Sequence, residues 1–370
     1  HLAVRGSDLA KLKKVVGHDI PFKGPYSLSC NLRNPAKQTY HLEDLEITAS
    51  QSTFSGRSVI RLSGADIVTT VQLGTNNISL EVLAEGQNAL LDRLRTQKDL
   101  GPLEIEATAF LSDKIRRLQS LDLAFGRDDV VRLRVNGSVG DIIDMQDLRL
   151  VVNVSGHDIS NLKPIVGHTI PVKGPYALSG EVWGHAPQNI DLRNLELKLK
   201  DNHFKGRAGL NLAGNIPEVD AEIAADRFSL APVTLEAVDL LKKLPELGPF
   251  NLAFKISEKE GAPALTRLEF RLGSESTIVA VLNGTVGNLA PIGDILLDFD
   301  LRSPDLSIFN DVVGAIFTKG RPFHAIGRLK DPRLEKITAT ELEVHYGDND
   351  LSGTIGLDIA GCLLYTSDAA

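Results

Sequence analysis

Cysteine is nearly missing from this sequence. Cys30 and Cys362 are the only two in 370 residues, and neither has a neighbour at metal-ligand spacing, which excludes a disulfide framework and argues against a zinc site. Long apolar runs are missing too. No window approaches 18 consecutive apolar residues, so no segment reads as a membrane-spanning helix. Nor is there an excess of positive charge: 40 Lys and Arg face 48 Asp and Glu, interspersed along the chain, for a net charge of −8. Without a basic stripe to neutralise phosphates, nucleic-acid binding is disfavoured. The chain starts at His1 with no initiator Met, basic n-region or apolar h-region, and reads as an internal piece of a longer protein. The signatures G-x-S-x-G, H-E-x-x-H, the phosphate-binding loop and G-x-G-x-x-G after a strand are likewise absent, so neither an enzyme nor a cofactor protein is expected.

What is present is ordinary globular composition, 42% apolar and 24% charged, and a strong internal repeat. Residues 7–30, SDLAKLKKVVGHDIPFKGPYSLSC, and 157–180, HDISNLKPIVGHTIPVKGPYALSG, agree at 14 of 24 positions with a constant offset of 150. The same offset pairs Leu45 with Leu195, Phe54 with Phe204, Gly56 with Gly206 and Gly64 with Gly214. A register of 147 pairs Gly101-Pro102 with Gly248-Pro249, and carries Asp158, Pro175 and Gly206 into a third copy as Asp305, Pro322 and Gly353. The organisation expected is therefore the end of a preceding repeat at 1–6, full repeats at 7–156 and 157–303, a partial third at 304–361, and a foreign tail at 362–370. Such repeats bury apolar faces mainly against their neighbours, which predicts an elongated molecule.

Inside the second repeat, apolar and polar residues alternate at period two through Leu195, Leu197 and Leu199, through Phe204, Ala208, Leu210 and Leu212, and through Phe250, Leu252, Phe254 and Ile256. Those are strands with one apolar face. Turn-forming residues arrive about every 10 positions, too soon for parallel crossovers. An all-β fold follows, an elongated repetitive antiparallel sheet that is either a curved groove or sandwich-like. Short amphipathic helices are expected at 8–16, 88–94, 235–244 and 307–317.

Other conspicuous residues read as structure. His18 and His168 occupy the same repeat position, and His157-Asp158 becomes Ser7-Asp8 in the first copy, so no His-Asp dyad is shared. The recurring Lys-Gly-Pro-Tyr at 23–26 and 173–176 supplies a turn and the start of a strand. Trp183, the single tryptophan, is expected in the core.

The phrase LRNLELKLKDNHFKGRAGLNLAG at 192–214, its counterpart LEDLEITASQSTFSGRSVIRLSG in the first copy and ITATELEVHYGDNDLSGTIGLDIAG in the third resemble the AsmA family. That resemblance implies a periplasmic β region of a Gram-negative envelope protein, attached to the bacterial inner membrane by an anchor outside this chain. It further implies bridge-like handling or transport of phospholipid between inner and outer membranes, in outer-membrane biogenesis. On this reading Leu195, Leu197, Leu199, Phe204, Leu210, Leu212, Phe250, Leu252 and Phe254 line an apolar surface for phospholipid acyl chains. The alternative is a non-catalytic scaffold or regulator of outer-membrane protein assembly, with a sealed core and envelope proteins as partners.

Overall fold

The structure, a computed structural model, describes residues 1–12, 24–49, 52–78, 101–112, 115–163, 170, 172–214, 216–229, 232, 248–289, 292–310, 316–331, 336–358 and 363–367. Two units divide the chain. His1–His185 carries β1 (Leu2–Gly6), β2 (Tyr26–Ala36), β3 (Thr39–Ala49), β4 (Ser52–Ser63), β5 (Asp66–Thr75), β6 (Leu103–Leu111), β7 (Arg116–Arg127), β8 (Val131–Asp141), β9 (Gln146–Gly156) and β10 (Tyr176–His185). Ala186–Ala370 carries β11 (Asn189–Leu199), β12 (Asn202–Asn211), β13 (Glu218–Ala225), β14 (Phe250–Lys259), β15 (Ala262–Gly273), β16 (Val279–Leu289), β17 (Ile292–Ser303), β18 (Phe323–Asp331), β19 (Lys336–Tyr346), β20 (Asn349–Asp358) and β21 (Leu363–Ser367). Within each unit every strand pairs antiparallel with the next in sequence, from β1 to β10 and from β11 to β21. The sheet is open, and the alternation of apolar and polar residues gives it two chemically distinct faces.

Connections fall into two length classes. Most are 2 to 6 residues long, but those between β1 and β2, β5 and β6, β9 and β10, β13 and β14, and β17 and β18 run to 19–27 residues. Long connections therefore recur every four strands. Because four antiparallel strands return the chain to the rim from which it set out, all the long connections of a unit share one rim. Each four-strand block opens on a Gly-Pro pair or its equivalent: Gly24-Pro25, Gly101-Pro102, Gly174-Pro175, Gly248-Pro249 and, with one residue between, Gly320 and Pro322. All five glycines have positive φ, a conformation that a side chain would strain. The repeats at 7–156 and 157–303 thus hold two blocks each. In the tail at 362–370, residues 363–367 form β21 on β20.

A second device recurs with the same period. The second strand of each block is bulged, with ladder shifts between Leu42 and Leu45, Leu118 and Leu121, Leu192 and Leu195, Leu265 and Leu268, and Ala339 and Leu342. Opposite the residue after each bulge stands a glycine on the third strand: Gly56, Gly137, Gly206, Gly284 and Gly353. The extra residues sharpen the local twist, and the backbones close up where the glycine has no side chain. A Cβ on Gly206 would strike the carbonyl oxygen of Glu222 on β13, and one on Gly137 that of Arg149 on β9.

Three of the five long connections are pinned at their bases by aspartates. The Asp158 carboxylate accepts the backbone N–H of Ser160 at 2.9 Å, the Ser160 hydroxyl at 2.8 Å and the backbone N–H of Gly174 at 3.3 Å. It caps a 3₁₀ turn at Ile159–Leu162 and ties it to the glycine that opens the next block. Asp305 caps Leu306–Phe309 in the same way, and Asp8 accepts Gly24 N–H at 3.2 Å beside the 3₁₀ turn Leu9–Leu12. Of the spans expected to be helical at 8–16 and 307–317, the structure describes 3₁₀ turns at Leu9–Leu12 and Leu306–Phe309, and residues 13–16 and 311–315 lie outside the described residues. The helices expected at 88–94 and 235–244 lie outside the described residues.

Two stability predictions come from these devices. Gly206→Ala should destabilise the protein by about 1–3 kcal/mol through overlap with the next strand, whereas Gly209→Ala, with open space around the new methyl, should be neutral or better in urea unfolding. The Asp158 carboxyl is held below its ordinary value, first by the Ser160 N–H. A carboxyl depressed on folding stabilises above its unfolded value, about 4, and loses that contribution as pH falls through the lower folded value. Asp158→Ala should therefore cost about 1 kcal/mol near pH 7, and its urea midpoint should converge on the wild type below pH 4.

Candidate functional site

Direct ladder partners share a face, so the register converts alternation along strands into rows across them. One row in the second unit runs Leu195, Gly206, Ile223, Leu252, Phe270, Leu282, Phe299 and Gly327, from β11 to β18 without a polar side chain. A parallel row runs Phe250, Leu272, Ala280, Leu301, Ala325, Val344 and Leu351. Four such rows, two residues apart along each strand, make an apolar band roughly 20 Å wide. The first unit repeats the plan through Gly56, Leu73, Ile105, Leu123, Val135, Val152 and Gly180.

All nine residues expected to line an apolar surface fall on this side of the second unit. Leu195, Leu197, Leu199, Phe204, Leu210, Phe250, Leu252 and Phe254 are half-buried. Leu212 sits just past β12 at the short-turn rim and is 45% exposed. A second packed layer would bury such side chains almost completely. Here they keep part of their surface. Phe228 and Phe270, which strand alternation alone does not connect, join Phe204 and Phe250 in an aromatic cluster with centroids 5.2–6.2 Å apart. Phe228 lies beyond the end of β13, so only the folded chain brings it there.

The opposite face is charged and cross-linked. Arg207 grips Glu222 with two bonds of 2.9 and 3.0 Å, and Arg267 reaches Asp220 at 2.6 Å. The Arg207 hydrogen bond holds the Glu222 carboxyl below its ordinary value. A concavity of about 1390 Å³ opens on this face across β11–β16, and one of about 920 Å³ across β3–β7 in the first unit. The larger is lined by ion pairs, Arg193–Asp191 beside Arg207–Glu222 and Arg267–Asp220, the smaller by Glu43, Asp44, Glu104, Glu106 and Asp122 with Arg57, and no group of three side chains placed to hold a metal ion occurs among the described residues. Trp183 corrects the expectation of a core position. It stands on this charged face, its ring N–H donating to Glu181 at 2.9 Å with the Arg149 guanidinium 5.4 Å from the ring centre. His18 and His168 lie outside the described residues.

Compared with family models, curated proteins and solved structures, the chain matches none. Among the described residues, no helix is long and apolar enough to cross a membrane. The arrangement offers apolar surface on one side of the sheet while its reverse carries charge. Such a face should bind a hydrophobic dye in the native state. Dye fluorescence well above that of a compact control protein at zero denaturant is the expected outcome; none until unfolding would mean that the face is covered.

Proposed function

We propose that this chain handles lipid, sheltering phospholipid acyl chains on the apolar face of its sheet. It does so as the periplasmic part of an AsmA-like envelope protein, held at the inner membrane by an anchor outside these residues. The observation that carries this reading is the row from Leu195 to Phe299, apolar on strand after strand and still only half-buried. Each CH₂ moved from water onto such a surface contributes roughly 0.8 kcal/mol. Rows that run across strands give a chain continuous contact in one direction, which suits passage of phospholipid toward the outer membrane better than a single enclosed cavity would. The resemblance of the repeated phrases to the AsmA family supports the same reading, with no catalytic step.

The test is mass spectrometry of solvent-extracted lipid from protein purified without detergent. Stoichiometric phospholipid is expected from the wild type. Leu197→Asp and Leu252→Asp each place a carboxylate within the apolar rows and should strip the lipid while leaving the far-UV circular dichroism of a β protein intact. Normal lipid in both variants would remove these residues from the lining, and a lipid-free wild type would overturn the proposal.

A further inference from the structure

We infer that two neighbouring hairpin tips on the short-turn rim of the first unit dock on a zwitterionic lipid bilayer, inserting Ile115, Ile142, Ile143 and Met145 into its interface. Ile115 belongs to the turn between β6 and β7, and the other three to the turn between β8 and β9. The tips are neighbours because β7 pairs with β8, and the Ile142 N–H donates at 2.8 Å to the carbonyl of Arg116. All four side chains are 37–46% exposed. Together they leave roughly 300 Å² of aliphatic surface on one short stretch of rim, the scale at which exposed patches mark contact sites. The second unit carries a weaker version. In the register of 147, Ala262 stands for Ile115 and Leu289 for Ile142, both half-buried, and Ile292, in the place of Met145, is exposed.

Inside lipid a backbone polar group must find its partner within the protein, and these tips meet that condition. The Asp141 carboxylate accepts the N–H groups of Ile143 at 2.8 Å and Asp144 at 3.1 Å, and the Ser112 hydroxyl accepts that of Ile115 at 3.0 Å. The patch sits on turn tips and contains no aromatic residue, whereas protein partners are held chiefly by aromatic and Arg anchors seated in pockets. Charge over residues 112–117 and 141–147 is nearly balanced, four acidic side chains against three basic, so no cationic excess selects an anionic surface. The rim also opens onto the apolar face. Ile67 and Leu111 face each other six residues along β5 and β6 from Leu73 and Ile105 of the apolar row, and Leu111 in turn faces Arg116 beside the tips. Docking there sets the end of the apolar band against a membrane that can supply acyl chains. That last step rests on the lipid-handling proposal; the docking itself does not.

The test is flotation of the full chain with phosphatidylcholine vesicles. Weak, reversible binding is expected, on the order of a single acyl anchor at about 10⁴ M⁻¹, and no tighter on phosphatidylglycerol. Ile142→Ser combined with Ile143→Ser should weaken it about ten-fold. Met145→Asn, which suits the φ of 51° at that position, should weaken it about three-fold. Both variants should keep the wild-type far-UV circular dichroism and the wild-type extracted lipid, and Ile292→Ser should float as the wild type does. In Ile143→Trp the indole emission should move to the blue on vesicle addition and be quenched by brominated acyl chains. Absence of flotation would overturn the inference, as would flotation unmoved by the tip variants or stronger on the anionic vesicles. A concentration-dependent dimer that the tip variants dissociate would assign the patch to a second copy and equally overturn it. Docking by a wild type that carries no extractable lipid would uphold this inference while overturning the proposed function.

Discussion

Within each unit, the strands take their backbone hydrogen bonds from their neighbours in sequence, and the other features depend on that constraint. A buried amide without a partner costs on the order of 1–3 kcal/mol, so a chain with few helices among its described residues must satisfy its backbone laterally. Nearest-neighbour pairing does so with turns of two to six residues, and it fixes the side of every residue through parity alone. The apolar rows are a direct product: Leu252 meets Ile223 on one side and Phe270 on the other because the ladder leaves no other register. The bulges are the controlled exceptions. Asp44, Asn194 and Glu341 take positive φ inside them, and the paired glycines absorb the close approach that results.

Much of the fold was legible before any coordinates. Alternation through Leu195–Leu197–Leu199 and Phe250–Leu252–Phe254 announces strands, and short turns announce antiparallel order, because both are local properties of the chain. The 150-residue repeat was legible from identities, yet the four-strand period beneath it was not. Gly24-Pro25, Gly101-Pro102 and Gly174-Pro175 mark it in the sequence, but the long connections that follow β5 and β9 are unrelated to each other, so only every second block aligns well. The apolar side of the candidate site was legible in the same way as the strands that carry it. Its aromatic cluster was not, since Phe228 reaches Phe204 and Phe250 from outside any strand, and Trp183 was misplaced because parity within β10 depends on its register with β9.

The two faces solve different problems. On the charged side, Arg207–Glu222 and Arg267–Asp220 are exposed pairs of the kind that contribute little individually, and what they do is keep that face wetted and single-valued. On the apolar side, contacts are continuous but incomplete, and the surface left over is the chemical resource behind the lipid-handling proposal. A sealed core would have spent that surface on stability.

Blocks of four strands also bear on how such a chain changes length. Because four is even, duplicating or deleting one whole block between a Gly-Pro and the next restores strand direction, face and rim together, so recombination at those sites alters span without scrambling chemistry. Gain or loss of a single strand would reverse every residue downstream of it with respect to rim. Duplication in pairs of blocks, as the 150-residue period records, therefore leaves the ladder usable at every intermediate length.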